Sequence, residues 1–114
     1  MGNTVFHKIM SGELDAEKLH EDEHCIVIAD IAPVAEHHYL IIPKKDLPKV
    51  SDADQEDQEL LGHLMLVGNK IAREKNLVED GFRLVVNNGE SAGQTVFQLH
   101  IHLLAGREFS WPPG

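Results

Sequence analysis

The chain has 114 residues, a formal net charge of −9 with its histidines neutral, and one cysteine, Cys25. That length supports a single domain, residues 1–114, able to bury about two-thirds of its unfolded surface. The 19 acidic residues against 10 Lys and Arg oppose binding along a nucleic-acid backbone, and a lone cysteine leaves no intramolecular disulfide. No apolar run reaches membrane-spanning length or follows a basic start, so the expected setting is the reducing cytoplasm, with no nucleic acid and no membrane as partner.

Val5, Phe6, Ile9 and Met10 stand at helical spacing and Ser11-Gly12 ends the run, which predicts a short N-terminal helix. Residues 18–21 and 25–29 read as two strands joined by the charged turn Asp22-Glu23-His24. The second of them is wholly apolar and is expected at the centre of a sheet; it ends at Asp30-Ile31-Ala32-Pro33, where proline stops the ladder and leaves Asp30 at the strand's end. His38-Tyr39-Leu40-Ile41-Ile42 is a third strand, closed by Pro43. Beyond a capped connector, Leu60, Leu64, Val67 and Ile71 fall at i, i+4, i+7 and i+11, with Leu61, Met65 and Ala72 beside them. This is the one long helix, acidic at its start and basic near its end. Its wide apolar stripe suits packing on the sheet with one side and on a second subunit with the other, and Gly68 allows close approach. Residues 82–87 form a fourth strand, residues 88–94 a polar loop with two glycines, and residues 96–104 the last strand. The pattern is that of an α+β domain: an antiparallel sheet of about five strands with one short and one long helix. The closing Trp111-Pro112-Pro113-Gly114 can be neither helix nor central strand.

On the last strand, alternation puts Gln98, His100 and His102 on one face and Phe97, Leu99, Ile101 and Leu103 on the other, the polar groups about 6.6–6.8 Å apart. An imidazole, with an unperturbed pKa of roughly 6.5, can accept a proton, attack phosphorus or bind a metal. The plain reading is a pair of half-exposed histidines on a sheet. Against it stand three chemistries. A zinc site needs three or four ligands; Gln98 is a poor third, and His7, His37, His38 or Asp46 would have to be brought in by the fold. Acyl transfer through Ser91 or Thr95 would need a histidine base and an orienting acid, and no nucleophile-elbow pattern is present. In covalent phosphoryl chemistry an imidazole attacks phosphorus, loop amides bind the non-bridging oxygens, and a neighbouring histidine assists departure.

Residues 93–104 followed by Gly106-Arg107 resemble the signature of the histidine-triad proteins, His-apolar-His-apolar-His-apolar-apolar. Thr4-Val5-Phe6, Lys8-Ile9, Asp30-Ile31-Ala32-Pro33, residues 38–44, Leu61-Gly62-His63-Leu64-Met65 and the Trp111 ending extend the likeness over nearly the whole chain, the ending being similar to the Hint branch of purine phosphoramidases. The resemblance implies a HIT-like fold in a homodimer whose sheet continues across two subunits, with the tail 107–114 reaching the partner. It implies binding of purine nucleoside monophosphates and hydrolysis of the P–N bond of adenosine phosphoramidates, or of aminoacyl-adenylates, through a nucleotidylated histidine and without a cofactor.

By the same resemblance, His100 is the nucleophile, with its other ring nitrogen held by a backbone carbonyl. His102 contacts the phosphate or leaving group, and the Thr95 hydroxyl lies near the leaving group. Asn87, Gly93 and Gln94 contact phosphate. Asp30 accepts from the ribose hydroxyls, with Ile31 beside it; Phe6, Ile9, Ile28 and His38 form the purine pocket and its rim; Trp111 points to the partner's site. One departure is Gln98, which stands in the nucleotide site where the first histidine of the triad belongs. Glutamine donates and accepts but does not titrate, so an altered rate or pH dependence is expected rather than loss of activity. The structural zinc of some relatives maps onto Thr4, His7, Asp46 and Gln98, a set that argues against that metal. The alternatives are a dinucleoside polyphosphate hydrolase and a nucleotide-binding regulatory module with weakened catalysis.

Overall fold

The computed structural model describes residues 2–114. Thr4 opens α1 (Val5–Met10) with a capping box: its hydroxyl accepts from the His7 amide, and the His7 ring accepts from the Thr4 amide at 3.1 Å. Strands β1 (Lys18–Glu21) and β2 (Cys25–Ala29) form a hairpin. The Asp22 carboxylate shapes its turn by accepting from the backbone N–H groups of His24 and Cys25 at 2.7 and 2.9 Å. β3 (His37–Pro43), β4 (Arg83–Val85) and β5 (Ile101–Ala105) complete a sheet of order β1-β2-β3-β5-β4, antiparallel throughout. β2, the most apolar strand, lies inside it as expected, and β1 and β4 are its edges.

The long helix, α2 (Gln58–Glu74), covers one face of the sheet. Leu64, Val67, Ile71 and Ala72 pack there against Cys25, Val27, Ile41, Ile101 and Leu103, all almost fully buried. Gly68 permits this approach, since a Cβ at that position would stand 3.1 Å from Ile41 Cδ1. Met65 and Leu66, on the other side of the helix, are 47% and 65% exposed. On the opposite face of the sheet, Phe6 and Ile9 of α1 pack on Ile26, Ile28, Leu40 and Ile42.

Two strand boundaries differ from the sequence expectation by more than one residue. β4 stops at Val85, two residues early, and β5 begins at Ile101 instead of residue 96. Between residues 96 and 100 the chain bonds to the loop after β3 and not to a strand: the Leu99 N–H donates to the Leu47 carbonyl at 2.6 Å, and the Gln98 side chain bonds the same loop. Phe97, expected on the packed face with Leu99, is 42% exposed in consequence. Past β5, Arg83 and Arg107 flank the Phe109 ring, and Arg83 donates to the Ser110 carbonyl at 3.0 Å. Trp111, beyond that anchor, is 82% exposed.

Candidate active site

Antiparallel pairing of β3 with β5 sets Leu40 opposite His102 and His38 opposite Leu104, so His38 and His102 are diagonal neighbours on the face that carries α1. Val85 of β4 lies opposite His102 on its other side. His100 precedes the strand, and its ring stands edge-on to Phe6 at 5.0 Å and 5.0 Å from the His102 ring.

Hydrogen bonds fix the tautomers. The His100 Nδ1–H donates to the Gln98 carbonyl at 2.8 Å, which leaves Nε2 with its lone pair. The Val34 N–H donates to His38 Nδ1 at 3.1 Å, so the neutral His38 carries its proton on Nε2. That N–H faces His102 Nδ1 at 2.9 Å and the Asp30 carboxylate at 3.3 Å. His102 Nδ1 is therefore an acceptor, and its Nε2–H is its remaining donor. Burial, reinforced by the neighbouring His100 and His38 and only partly opposed by Asp30, pushes the His102 pKa down to about 4. Burial also lowers that of His38, against the pull of Asp30. At neutral pH the pair is a hydrogen-bonded chain of uncharged imidazoles ending on Asp30. Asp30, His38 and His102 could also hold a metal ion, although the His38 Nε2 proton would have to leave first.

Several sequence expectations change here. Gln98 does not stand in a row with the histidines: its side chain is fully buried and faces the loop after β3. Its Oε1 accepts from the Leu47 N–H at 3.1 Å, and its Nε2 donates to the carbonyls of Pro43 and Lys45 at 2.9 and 2.8 Å. The one acceptor and two donors of the amide are all used, and only its backbone carbonyl serves His100. A proton relay through this side chain is not what its position offers. Gln94 is likewise buried at 3% exposure, with its amide on the backbone of Gly89, Pro48 and Val96, so it braces the loop and does not present itself to phosphate. The loop closes on itself as a 3-10 turn over Glu90–Ala92, with the amides of Ala92, Gly93 and Gln94 all donating within it. These three are not the expected row of free phosphate donors. His38, expected at the purine rim, is 6% exposed with both ring nitrogens engaged.

The remaining residues divide by exposure. Phe6, Ile9 and Ile28 are packed core side chains, and of the three Phe6 touches His100. Asp30 accepts from the Ala32 N–H at 2.8 Å through one oxygen and faces His38 with the other. Ile31 is 98% exposed, Thr95 is exposed, and Asn87 is half-buried with its amide 3.8 Å from where a Gly93 Cβ would stand. The positive φ of Gly93, 100°, favours glycine there, while the Asn87 contact is an ordinary van der Waals one. The set Thr4, His7, Asp46 and Gln98 does not fit a metal: Thr4 and His7 cap the helix, and the Gln98 amide is saturated by backbone. Sequence reasoning missed His38 as the group that orients His102; the apolar alternation of β3 marks its face, but nothing local marks its partner. A cleft of about 1180 Å³ near Lys75, Phe82, Arg107 and Phe109 includes none of His38, His100 or His102.

The HIT domain matches residues 11–109, and the chain belongs to the histidine-triad (HIT) family. An uncharacterized HIT-like protein of Synechocystis is 50% identical over 112 residues, covering 98% of this chain and 97% of its own. A HIT family hydrolase from Legionella pneumophila superposes with a TM-score of 0.96 at 42% identity, covering 98% of this chain and all of the other. A histidine triad nucleotide-binding protein from Candida albicans superposes at 0.82 with 29% identity, over 98% and 85% of the two chains.

The depressed His102 pKa makes a stability prediction. The unfolded imidazole titrates near 6.5 and the folded one near 4, so between these values the unfolded chain binds the extra proton and stability rises with pH. The contribution, complete above about pH 6.5, is lost as the pH falls towards 4 and is on the order of 3 kcal/mol. Urea midpoints measured across that window should fall more steeply in the wild type than in His102→Asn, and parallel curves would contradict the assignment.

The Gln98 brace makes a second. Gln98→Ala strands one N–H and two carbonyls in a buried loop and should cost about 3 kcal/mol or more in urea unfolding. Gln98→His, whose neutral ring offers one donor and one acceptor, should fall between alanine and wild type. An alanine variant as stable as wild type would remove the brace.

Proposed function

We propose that this protein is a nucleotide-binding hydrolase that cleaves the P–N bond of adenosine 5′-phosphoramidates, or the P–O bond of the mixed anhydride in aminoacyl-adenylates, by covalent catalysis at His100. The observation that carries the reading is the Nδ1–H bond from His100 to the Gln98 carbonyl, which leaves Nε2 as a nucleophile beside His102. The lone pair of Nε2 forms a bond to phosphorus as the P–N bond of a phosphoramidate breaks and the departing amine takes a proton from solvent; with an aminoacyl-adenylate the P–O bond breaks instead and a carboxylate leaves. The adduct carries positive charge on the imidazole ring, which the Gln98 carbonyl stabilises through Nδ1–H. Water then attacks phosphorus, releasing the nucleoside monophosphate and the neutral histidine. His102 Nε2–H donates to the phosphoryl oxygens, and the exposed Thr95 hydroxyl serves the leaving group.

Asp30 and Ile31 take the ribose, with Phe6, backed by the packed Ile9 and Ile28, as the apolar edge next to His100 and Asn87 on the phosphate side. The family supports this reading, as does the likeness to the Legionella HIT family hydrolase and the Candida nucleotide-binding protein. The working unit is a homodimer. The exposed Met65 and Leu66 on α2, the unpaired edge of β4 and the exposed Trp111 in the tail support it. No helix among the described residues is long and apolar enough to cross a membrane, and we place the protein in the cytoplasm.

Brief incubation with an adenosine 5′-phosphoramidate, quenched in base and weighed as intact protein, should give a nucleotide adduct on wild type and none on His100→Ala, with AMP appearing over time. AMP binding without adduct or turnover would favour a nucleotide-binding module instead. Sedimentation equilibrium should give twice the 12.7 kDa chain mass, and Leu66→Glu should give the monomer. A monomeric wild type would refute the dimer.

A further inference from the structure

The turn between β1 and β2 holds a second cluster of ligand-type side chains, built from residues the proposed reaction does not use. A β-bulge at Leu19 sets two residues of β1 against one of β2, so that His20 pairs with Val27 on the helix-facing side of the sheet, where Leu19 also packs. His20 Nε2 reaches Asp22 Oδ2 at 2.7 Å. Cys25 Sγ, fully buried, lies 3.7 Å from the same oxygen, and the ligand atoms of His20, Asp22 and Cys25 all lie within 4.8 Å of one another. From α2, His63 brings its own Nε2 to 2.7 Å from that oxygen. Two imidazole nitrogens and a thiol thus converge on one carboxylate, with the side chains of His63 and Asp22 35% and 27% exposed on an open side.

The geometry points to a binding site for a divalent transition metal of zinc type, formed by His20, Asp22, Cys25 and His63. The donors are two nitrogens, one carboxylate oxygen and one sulfur, the mixed borderline-soft set that tetrahedral zinc takes. The 2.7 Å separations of His20 and His63 from Asp22 need open by well under an ångström to admit an ion, and His63, outside the mutually close set of His20, Asp22 and Cys25, completes the site by swinging its partly exposed ring inward. Charge balances as well: a carboxylate and a thiolate neutralise the dication. Without metal, burial and the adjacent Asp22 push the Cys25 thiol up to about 12, so binding must displace a thiol proton to solvent. The Lys70 ammonium, 3.2 Å from His20 Nδ1, favours a proton on His20 Nε2 and has to swing aside; it is half exposed and keeps Glu74 as a partner at 3.3 Å. Once bound, the ion ties the hairpin to α2 across about 40 residues of intervening chain and stabilises the fold by linkage.

Cobalt(II) titrated into the full-length reduced protein reads the site directly, because a thiolate ligand produces a sulfur-to-cobalt charge-transfer band that the sulfur-free cluster of Asp30, His38 and His102 cannot give. One equivalent should bring up that band together with intense tetrahedral visible bands, and zinc should displace it and raise the thermal midpoint. His63→Ala, at a half-buried helix position, should keep the fold by circular dichroism and weaken cobalt binding roughly tenfold or more. Cys25→Ala should lose the charge-transfer band. Absence of the band in folded wild type, or a band undiminished in His63→Ala, overturns the site.

Discussion

Everything the histidines can do depends on the register of β3 against β5. A one-residue slip of β5 would turn His102 to the α2 face and carry Ile101 and Leu103 out of the core, and a slip of β3 would do the same to His38 and Ile41. Those three side chains are at most 4% exposed against the helix, so the register is held by apolar burial, not by the polar groups that profit from it. The same pairing explains the electrostatics. His102 sits between Leu40 and Val85 on neighbouring strands, a dry setting that disfavours its charged form. Packing on one side of the sheet thus determines both the position and the protonation of the chemistry on the other.

Where the ladder ends, a different device takes over. The loop at residues 43–47 turns backbone groups inward, and buried backbone groups must be paired. Gln98 supplies one acceptor and two donors to one N–H and two carbonyls. A neutral histidine at this position would match at most two of the three. Because the side chain holds the loop, the backbone carbonyl of the same residue stays fixed beside His100 Nδ1. The departure from the triad pattern at Gln98 therefore bears on the scaffold behind His100, which keeps the Nδ1–H tautomer that its proposed nucleophilic role requires.

The parts legible in the sequence were those whose pattern is local. The capped helix at Val5–Met10, the hairpin strands around the Asp22 turn, β3 and the stripe of α2 all follow from apolar periodicity and breaker residues. His100 and His102 stood out for the same reason, and the family signature lies on them. The start of β5 was not legible, because residues 96–100 alternate like a strand and yet find their hydrogen bonds in a loop 50 residues earlier. Nor was the inward turn of Gln94, which depends on the carbonyl of Pro48. His38 needed a register that no single strand encodes. The errors share one cause: the deciding partner lies far away in sequence.

A chain of net charge −9 proposed to receive an anionic phosphate has an electrostatic difficulty, and the imidazole chain bears on it. Were His38 and His102 both charged, they would repel each other across 2.9 Å. Left neutral, they offer an N–H dipole in a partly dry site, where a hydrogen bond counts for more than in water. Asp30 closes the far end of the chain, so charge gathering on His102 has a carboxylate to face through His38. A phosphate at the near end acts on His102 with the same sign as Asp30, favouring the protonated ring that burial disfavours. The site can thus take up positive charge as its anion arrives instead of holding it beforehand, which reconciles an acidic protein with an anionic ligand.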